Sequence, residues 1–170
     1  MKKFLLVFLS AMLFISAFFA GSATTATAKE SKILEFDTMI GVPHAFTGSQ
    51  VAAAFRNING GGIAWTLTSA KGELTASGHL ELKVQGLVFA EGPNVGSNTV
   101  TFFGATVSCI NSSGVPENVR TATFPATTGS ASSGGGNAEI ETDVALPHPC
   151  FAPIVFVTSP GGNWFAVTGN

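Results

Sequence analysis

Three acidic residues alternate along one short segment and are the first candidates for chemistry. Glu139, Glu141 and Asp143 are spaced at i, i+2 and i+4, so in a β-strand their carboxylates share one face. Carboxylate oxygens are ligands for hard cations, but calcium sites draw them from loops rich in Asp and Asn. We therefore predict a solvated acidic strand face that discourages pairing between sheet edges, and no metal site.

Carboxylates that meet in space rather than in sequence are the second candidate, because glycoside hydrolysis uses two such groups around the scissile bond. The residues on which such a site would draw are Glu73, Glu81, Glu91, Glu117, Glu139, Glu141 and Asp143. Sequence spacing does not pair them. No serine stands in a G-x-S-x-G elbow. The sequence therefore assigns no catalytic residue and favours a protein without catalytic activity.

Histidines and glycine-rich stretches give no cofactor pattern. None of His44, His79 and His148 shares a metal-ligand spacing with another His, Cys or carboxylate. No glycine-rich stretch has the form G-x-G-x-x-G or ends in Gly-Lys-Ser/Thr, the patterns that cradle phosphates. We predict neither a metal nor any other cofactor.

Two tryptophans follow glycine-rich loops and are the predicted ligand contacts. Trp164 and, less strongly, Trp65 stand where an aromatic ring could meet a glycan or a peptide. Burial at the start of a strand fits both equally well. Trp65 is in phase with Ile63 and Leu67, which favours a core position for that ring.

Short β-strands must position these residues, since period-two alternation dominates the chain. In residues 79–88, Leu80, Leu82 and Val84 point one way while polar side chains point the other. Residues 138–146 alternate similarly. Lys71 and Gly72 predict a turn, and residues 49–55 predict a turn or two of helix. Strands separated by Gly and Pro loops predict an all-β fold: an antiparallel β-sandwich, or an open barrel, of about eight strands.

Cys109 and Cys150 are the only cysteines. In an oxidising compartment two cysteines most simply form one disulfide, and we predict that pairing. The alternative, a reactive thiol or redox pair, lacks the C-x-x-C spacing.

Residues 1–28 have the order of a secretory signal peptide: Lys2 and Lys3, an apolar run, then small residues ending at Ala28. The apolar run, about 16 residues, is shorter than the roughly 20 that span a bilayer. We expect cleavage near Ala28, one mature domain over residues 29–170 without a membrane span, and a secreted or cell-envelope location. The mature chain then has six Lys and Arg residues and ten Asp and Glu residues, which gives a net charge of −4. No basic cluster remains, so nucleic acid is not an expected partner.

Several stretches together suggest relatives: GGGIAW at 60–65, FPATTG at 124–129, GGGNAEIE at 134–141 and PCFAPIVFVTS at 149–159. With these stretches the chain resembles a group of small bacterial proteins of no assigned activity. The resemblance implies a bacterial source and transfers no site. We expect a non-catalytic binding or structural domain at or outside the cell surface, with an extracellular partner or a glycan as ligand. The alternative is a hydrolase of an extracellular or cell-wall polymer.

Overall fold

The computed structural model describes residues 30–48 and 54–168. The predicted signal peptide lies outside these residues, as do residues 49–53 of the predicted helical turn. Phe55, which ends that predicted turn, lies in a β-bridge with Ile58. The described residues form two short 3₁₀ turns, His44–Phe46 and Ala131–Ser133, and thirteen strands. The strands are β1 (Lys32–Phe36), β2 (Met39–Gly41), β3 (Trp65–Thr66), β4 (Ser69–Thr75), β5 (His79–Gln85), β6 (Val88–Phe89), β7 (Ser97–Asn98), β8 (Phe102–Ile110), β9 (Pro116–Pro125), β10 (Gly129–Ser130), β11 (Ala138–Asp143), β12 (Phe151–Thr158) and β13 (Trp164–Thr168).

Two antiparallel sheets form the body of the molecule. The four-stranded sheet has the order β1-β4-β5-β11, and the five-stranded sheet has the order β2-β13-β12-β8-β9. Strands β3 and β6, and strands β7 and β10, form two-stranded ribbons. Buried apolar side chains from both main sheets belong to one core. The all-β prediction is confirmed, and of its two forms the sandwich describes the structure.

The alternation of apolar and charged residues along β5 shows how the sequence produces the four-stranded sheet. Leu80, Leu82 and Val84 are buried at 0 %, 3 % and 1 % exposure, while Glu81 and Lys83 between them are exposed. Burying one such side chain stabilises by about 1.5–3 kcal/mol. A slip of one residue in register would expose all three, so the apolar face fixes which side of the sheet faces solvent.

The turn predicted at Lys71 and Gly72 is wrong, because β4 runs through both residues without interruption. Gly72 has a packing role here: a Cβ at that position would lie 2.3 Å from the Glu81 backbone oxygen and 2.8 Å from the ring of Phe36, which is buried in the core. The chain turns instead at Gly78, whose φ of 100° lies in the region that favours glycine.

The predicted disulfide is confirmed. Cys109 lies on β8 and Cys150 immediately precedes β12, and these two strands pair in the five-stranded sheet. The Cys109–Cys150 bond joins residues 41 positions apart in the chain. It therefore fastens the start of β12 to the end of the neighbouring strand β8.

The outer face of the five-stranded sheet is covered by the segment that follows β2. Phe46 and Phe55 from this segment stand over Trp164, with ring centroids 6.1 Å and 6.5 Å from the indole. Phe55 also meets Phe156 edge-on at 5.8 Å. The five-stranded sheet is thus covered on both faces around Trp164 and Phe156, whereas the four-stranded sheet presents one face to solvent.

Candidate functional site

The solvent-facing surface of the four-stranded sheet gathers most of the charge that the sequence singled out. Strand pairing places Glu35 opposite Glu73, Glu73 opposite Glu81, and Glu81 opposite Glu141. Four carboxylates therefore form one line across all four strands, which we call the carboxylate row. Like charges directly opposite each other destabilise a sheet, so this row is not explained by the stability of the fold.

A second line of charges runs beside the carboxylate row. Lys71 stands opposite Lys83, and Lys83 stands opposite Glu139. The Lys83 ammonium donates a hydrogen bond to the Glu139 carboxylate. This contact holds the pKa of Glu139 below its ordinary value. Glu139 is therefore neutralised by its own neighbour.

Lys32 neutralises one end of the carboxylate row. Its ammonium contacts Glu73, and it donates to Glu35 Oε1 at 3.0 Å. These contacts, led by Glu73, raise the pKa of Lys32. Glu81 and Glu141 form no ion pair with a lysine or an arginine of the described residues. Negative charge is thus least balanced at the β5–β11 end of the row.

His79 stands beside that end. Its Nδ1 lies 2.9 Å from Asp143 Oδ1, and its Nε2 lies 3.4 Å from Glu81 Oε1. The hydrogen bond with Asp143 is the main reason why the pKa of His79 is raised. A hydrogen-bonded Nδ1 leaves Nε2 directed at the carboxylates, the orientation that carboxylate–histidine pairs give to metal-binding imidazoles.

One histidine and two glutamates meet here in a way that the sequence did not predict. Ligand atoms of His79, Glu81 and Glu141 lie within 4.8 Å of one another, so these residues could hold a divalent cation. His79 and Glu81 alternate on β5, but Glu141 comes from β11. Only the register of that strand pair brings the third group into reach.

The site is a broad concavity rather than a narrow cleft. Its volume is about 880 Å³. Its charged lining consists of six carboxylates and two lysines: Glu35, Asp37, Glu73, Glu81, Glu139, Glu141, Lys71 and Lys83. Six carboxylates against two lysines leave an excess of negative charge, which raises the local concentration of cationic ligands.

The candidate carboxylates divide into two groups. Glu73, Glu81, Glu139 and Glu141 line this concavity, and Asp143 lies on the same face beside His79. The others lie elsewhere. Glu91 accepts hydrogen bonds from the Ala64 amide at 3.0 Å and from His44 at 3.0 Å, and Glu117 is on β9. The predicted acidic face of β11 is thus one edge of a larger charged surface.

Both tryptophans lie in the interior, away from the concavity. Trp65 is 4 % exposed and stacks on Phe165 at 4.1 Å, between the sheets. Trp164 is 2 % exposed and lies under Phe46 and Phe55. Burial, the alternative that the sequence left open, describes both rings in this structure. Their predicted ligand contact stays a prediction.

Within residues 30–48 and 54–168 no helix is long and apolar enough to cross a membrane.

Comparison with protein-family models, with curated proteins and with solved structures finds no match to the chain.

Proposed function

We propose that the protein is a non-catalytic, exported binding domain, and that the solvent-facing surface of its four-stranded sheet is the binding surface. The carboxylate row carries this proposal. Four carboxylates in line cost stability, and natural proteins keep such features where a ligand compensates for them. The Cys109–Cys150 disulfide is compatible with export, because such bonds persist in oxidising compartments.

The ligand that this surface fits presents several positive charges on one side. Glu81 and Glu141 lack a lysine or arginine partner among the described residues, so they are available to amines or guanidiniums. Antiparallel pairing fixes their spacing along a rigid sheet, which limits the entropy lost on binding. We therefore expect a basic segment of an extracellular protein, with an amine-bearing glycan as the second ligand to test.

The test uses the oxidised domain of residues 29–170 on a biosensor surface. A lysine-rich peptide, a glucosamine oligomer with free amines and a neutral glucose oligomer are passed over it. We expect saturable binding of the lysine-rich peptide and none of the neutral oligomer. Binding should weaken steeply between 0.05 and 0.5 M salt, about the range in which screening of exposed charges becomes strong.

A charge-matched pair of variants locates the surface. Glu81→Gln and Glu117→Gln each remove one negative charge, but only Glu81 belongs to the carboxylate row. We expect at least a fivefold loss of affinity in the first and little change in the second. Equal losses would show that net charge, and not this surface, attracts the ligand.

A hydrolase remains the second candidate because of one observation. Oxygen atoms of Glu81 and Glu141 lie within 4.8 Å, close to the roughly 5–5.5 Å between the two carboxyl groups of retaining glycosidases. Dye-labelled wall and extracellular polysaccharides are the substrates to assay. Turnover that disappears in both Glu81→Gln and Glu141→Gln would replace the binding proposal. A parent protein that turns over none of these substrates would favour the binding proposal.

A further inference from the structure

The β5–β11 end of the carboxylate row holds a mixed set of donor atoms, one imidazole nitrogen and two carboxylates. His79 Nε2 lies 3.4 Å from Glu81 Oε1, and ligand atoms of His79, Glu81 and Glu141 all lie within 4.8 Å of one another. Glu81 and Glu141 also line the concavity of about 880 Å³, and the His79 side chain is 33 % exposed. A small ion therefore has open access to all three groups.

The contact between His79 and Asp143 determines which ring nitrogen of His79 is free. The Asp143 carboxylate only accepts hydrogen bonds, so His79 Nδ1 donates to it at 2.9 Å. In the neutral ring the Nε2 lone pair then faces the Glu81 carboxylate at 3.4 Å, and two acceptors at that distance repel each other. A positive species between them, either a proton or a metal ion, turns the repulsion into attraction.

The third donor distinguishes a metal ion from a proton. A proton on Nε2 makes a hydrogen bond along one line, to Glu81, and leaves the charge of Glu141 unbalanced. No lysine or arginine of the described residues pairs with Glu141. A metal ion is shared by several donors arranged around it, so it neutralises both carboxylates at once. The arrangement of the three groups therefore favours a metal ion.

The distances between these groups match the dimensions of a zinc site. Ligand atoms that lie about 2.0–2.1 Å from a tetrahedral Zn²⁺ are about 3.3 Å apart, and the His79–Glu81 pair is already at 3.4 Å. Closing the set around an ion moves the Glu141 carboxylate by at most about 1.5 Å, which rotation of this exposed side chain achieves. Ca²⁺ and Mg²⁺ prefer oxygen ligands, whereas imidazole suits Zn²⁺ and neighbouring transition metals.

We propose that His79, Glu81 and Glu141 bind one zinc ion, with Asp143 orienting the imidazole from its other side. Nε2 and one oxygen of each glutamate supply three ligands, and water completes the coordination. The site shares two carboxylates with the proposed binding surface, but it does not rest on the proposed function, because metal binding needs no peptide. A domain that binds Zn²⁺ but no lysine-rich peptide would contradict the proposed function alone.

The test is a calorimetric titration of the untagged, oxidised domain of residues 29–170 with zinc chloride, with calcium chloride and magnesium chloride as references. We expect one equivalent of Zn²⁺ to bind saturably, and Ca²⁺ and Mg²⁺ to bind at least tenfold more weakly. His79→Gln should weaken zinc binding at least tenfold. His44→Gln is the matched control and should bind Zn²⁺ like the parent, since His44 is an exposed histidine that pairs with a single carboxylate, Glu91, at 3.0 Å.

Glu141→Gln keeps the proposal testable if His79→Gln does not fold, because it leaves β5 unchanged and removes a like charge opposite Glu81. We expect it to weaken zinc binding at least fivefold, and Glu117→Gln on β9 to leave it unchanged. With Cu²⁺ in place of Zn²⁺, electron spin echo spectra of the parent should show one coordinated imidazole.

Three results would overturn the zinc proposal. The first is a parent domain that binds no Zn²⁺, or that binds Ca²⁺ as tightly. The second is a zinc affinity that is the same in His79→Gln and Glu141→Gln as in the parent, or that falls equally in His44→Gln. The third is an imidazole signal from Cu²⁺ that persists in His79→Gln.

Discussion

Replacing Glu81 with Gln should stabilise the protein, because Glu81 stands between two other carboxylates in the carboxylate row. Its neighbours across the strands are Glu73 and Glu141. Lys32 contacts Glu73, but no lysine or arginine of the described residues contacts Glu81. The substitution keeps the size and strand position of the side chain and removes only the charge.

The expected gain follows from the spacing of the carboxylates. Oxygen atoms of Glu81 and Glu141 lie within 4.8 Å, where two unit charges repel by about 0.9 kcal/mol in bulk water. Screening at physiological salt reduces this to about 0.5 kcal/mol. The Glu73 charge adds less, because Lys32 partly neutralises it. We expect the free energy of unfolding to rise by about 0.5–1 kcal/mol.

Urea denaturation at pH 8 measures this gain, which corresponds to a rise of about 0.3–0.7 M in the midpoint at a slope of about 1.5 kcal/mol/M. Glu139→Gln is the control, since Glu139 lies on the same surface but contacts Lys83. Its stability should stay the same or fall. At pH 5.5 protonated His79 attracts Glu81, because the pKa of His79 is raised, so the gain should shrink. A loss of stability in Glu81→Gln, or equal gains in both variants, would refute the reasoning.

Three further predictions concern the scaffold. Replacing Cys109 and Cys150 together with Ala should lower the free energy of unfolding by about 4 kcal/mol, since the bond closes a loop with a separation of 41 residues; an unchanged urea midpoint would contradict this. Gly78→Ala should cost more stability than Gly114→Ala, because both have positive φ but only a Cβ at Gly78 would lie 1.9 Å from a carbonyl oxygen; thermal unfolding of both variants decides it. Glu91→Gln should be less stable than the parent at neutral pH and match it at low pH. The reason is that hydrogen bonds from the Ala64 backbone amide and from His44 lower the pKa of Glu91 from 4.5. Stability gained in this way is lost as pH falls through the folded-state pKa. A difference in unfolding temperature between the variant and the parent that persists at pH 2.5 would argue against this origin.

Local patterns predicted the strands better than they predicted the site. The alternation at residues 79–88 identified β5 and the side of it that is buried, because a period of two depends only on nearby residues. The pairing of Cys109 with Cys150 followed from their being the only two cysteines. Lys71 and Gly72 misled the turn prediction, since glycine in a strand can also make room for a ring such as Phe36.

The carboxylate row could not be predicted from local sequence patterns. Glu35, Glu73, Glu81 and Glu141 come from four strands, and their alignment depends on the register of three separate strand pairs. Register is set by which apolar faces meet in the core, a property of the assembled sandwich. The sequence indicated an acidic face on β11 alone, and the His79 contribution to it was missed for the same reason.

The pairing of β2 with β13 has a consequence for how the chain reaches this structure. Met39 lies opposite Thr168, so an early strand and a late one share an edge of the five-stranded sheet. In the four-stranded sheet β1 pairs with β4, and β5 pairs with β11. Both pairs also join strands that are far apart in the sequence. Closing such long loops costs entropy before contacts repay it, and folds dominated by non-local pairing fold in milliseconds to seconds. Both sheets therefore depend on late-arriving strands, and an emerging chain would hold unpaired strand edges until β13 docks.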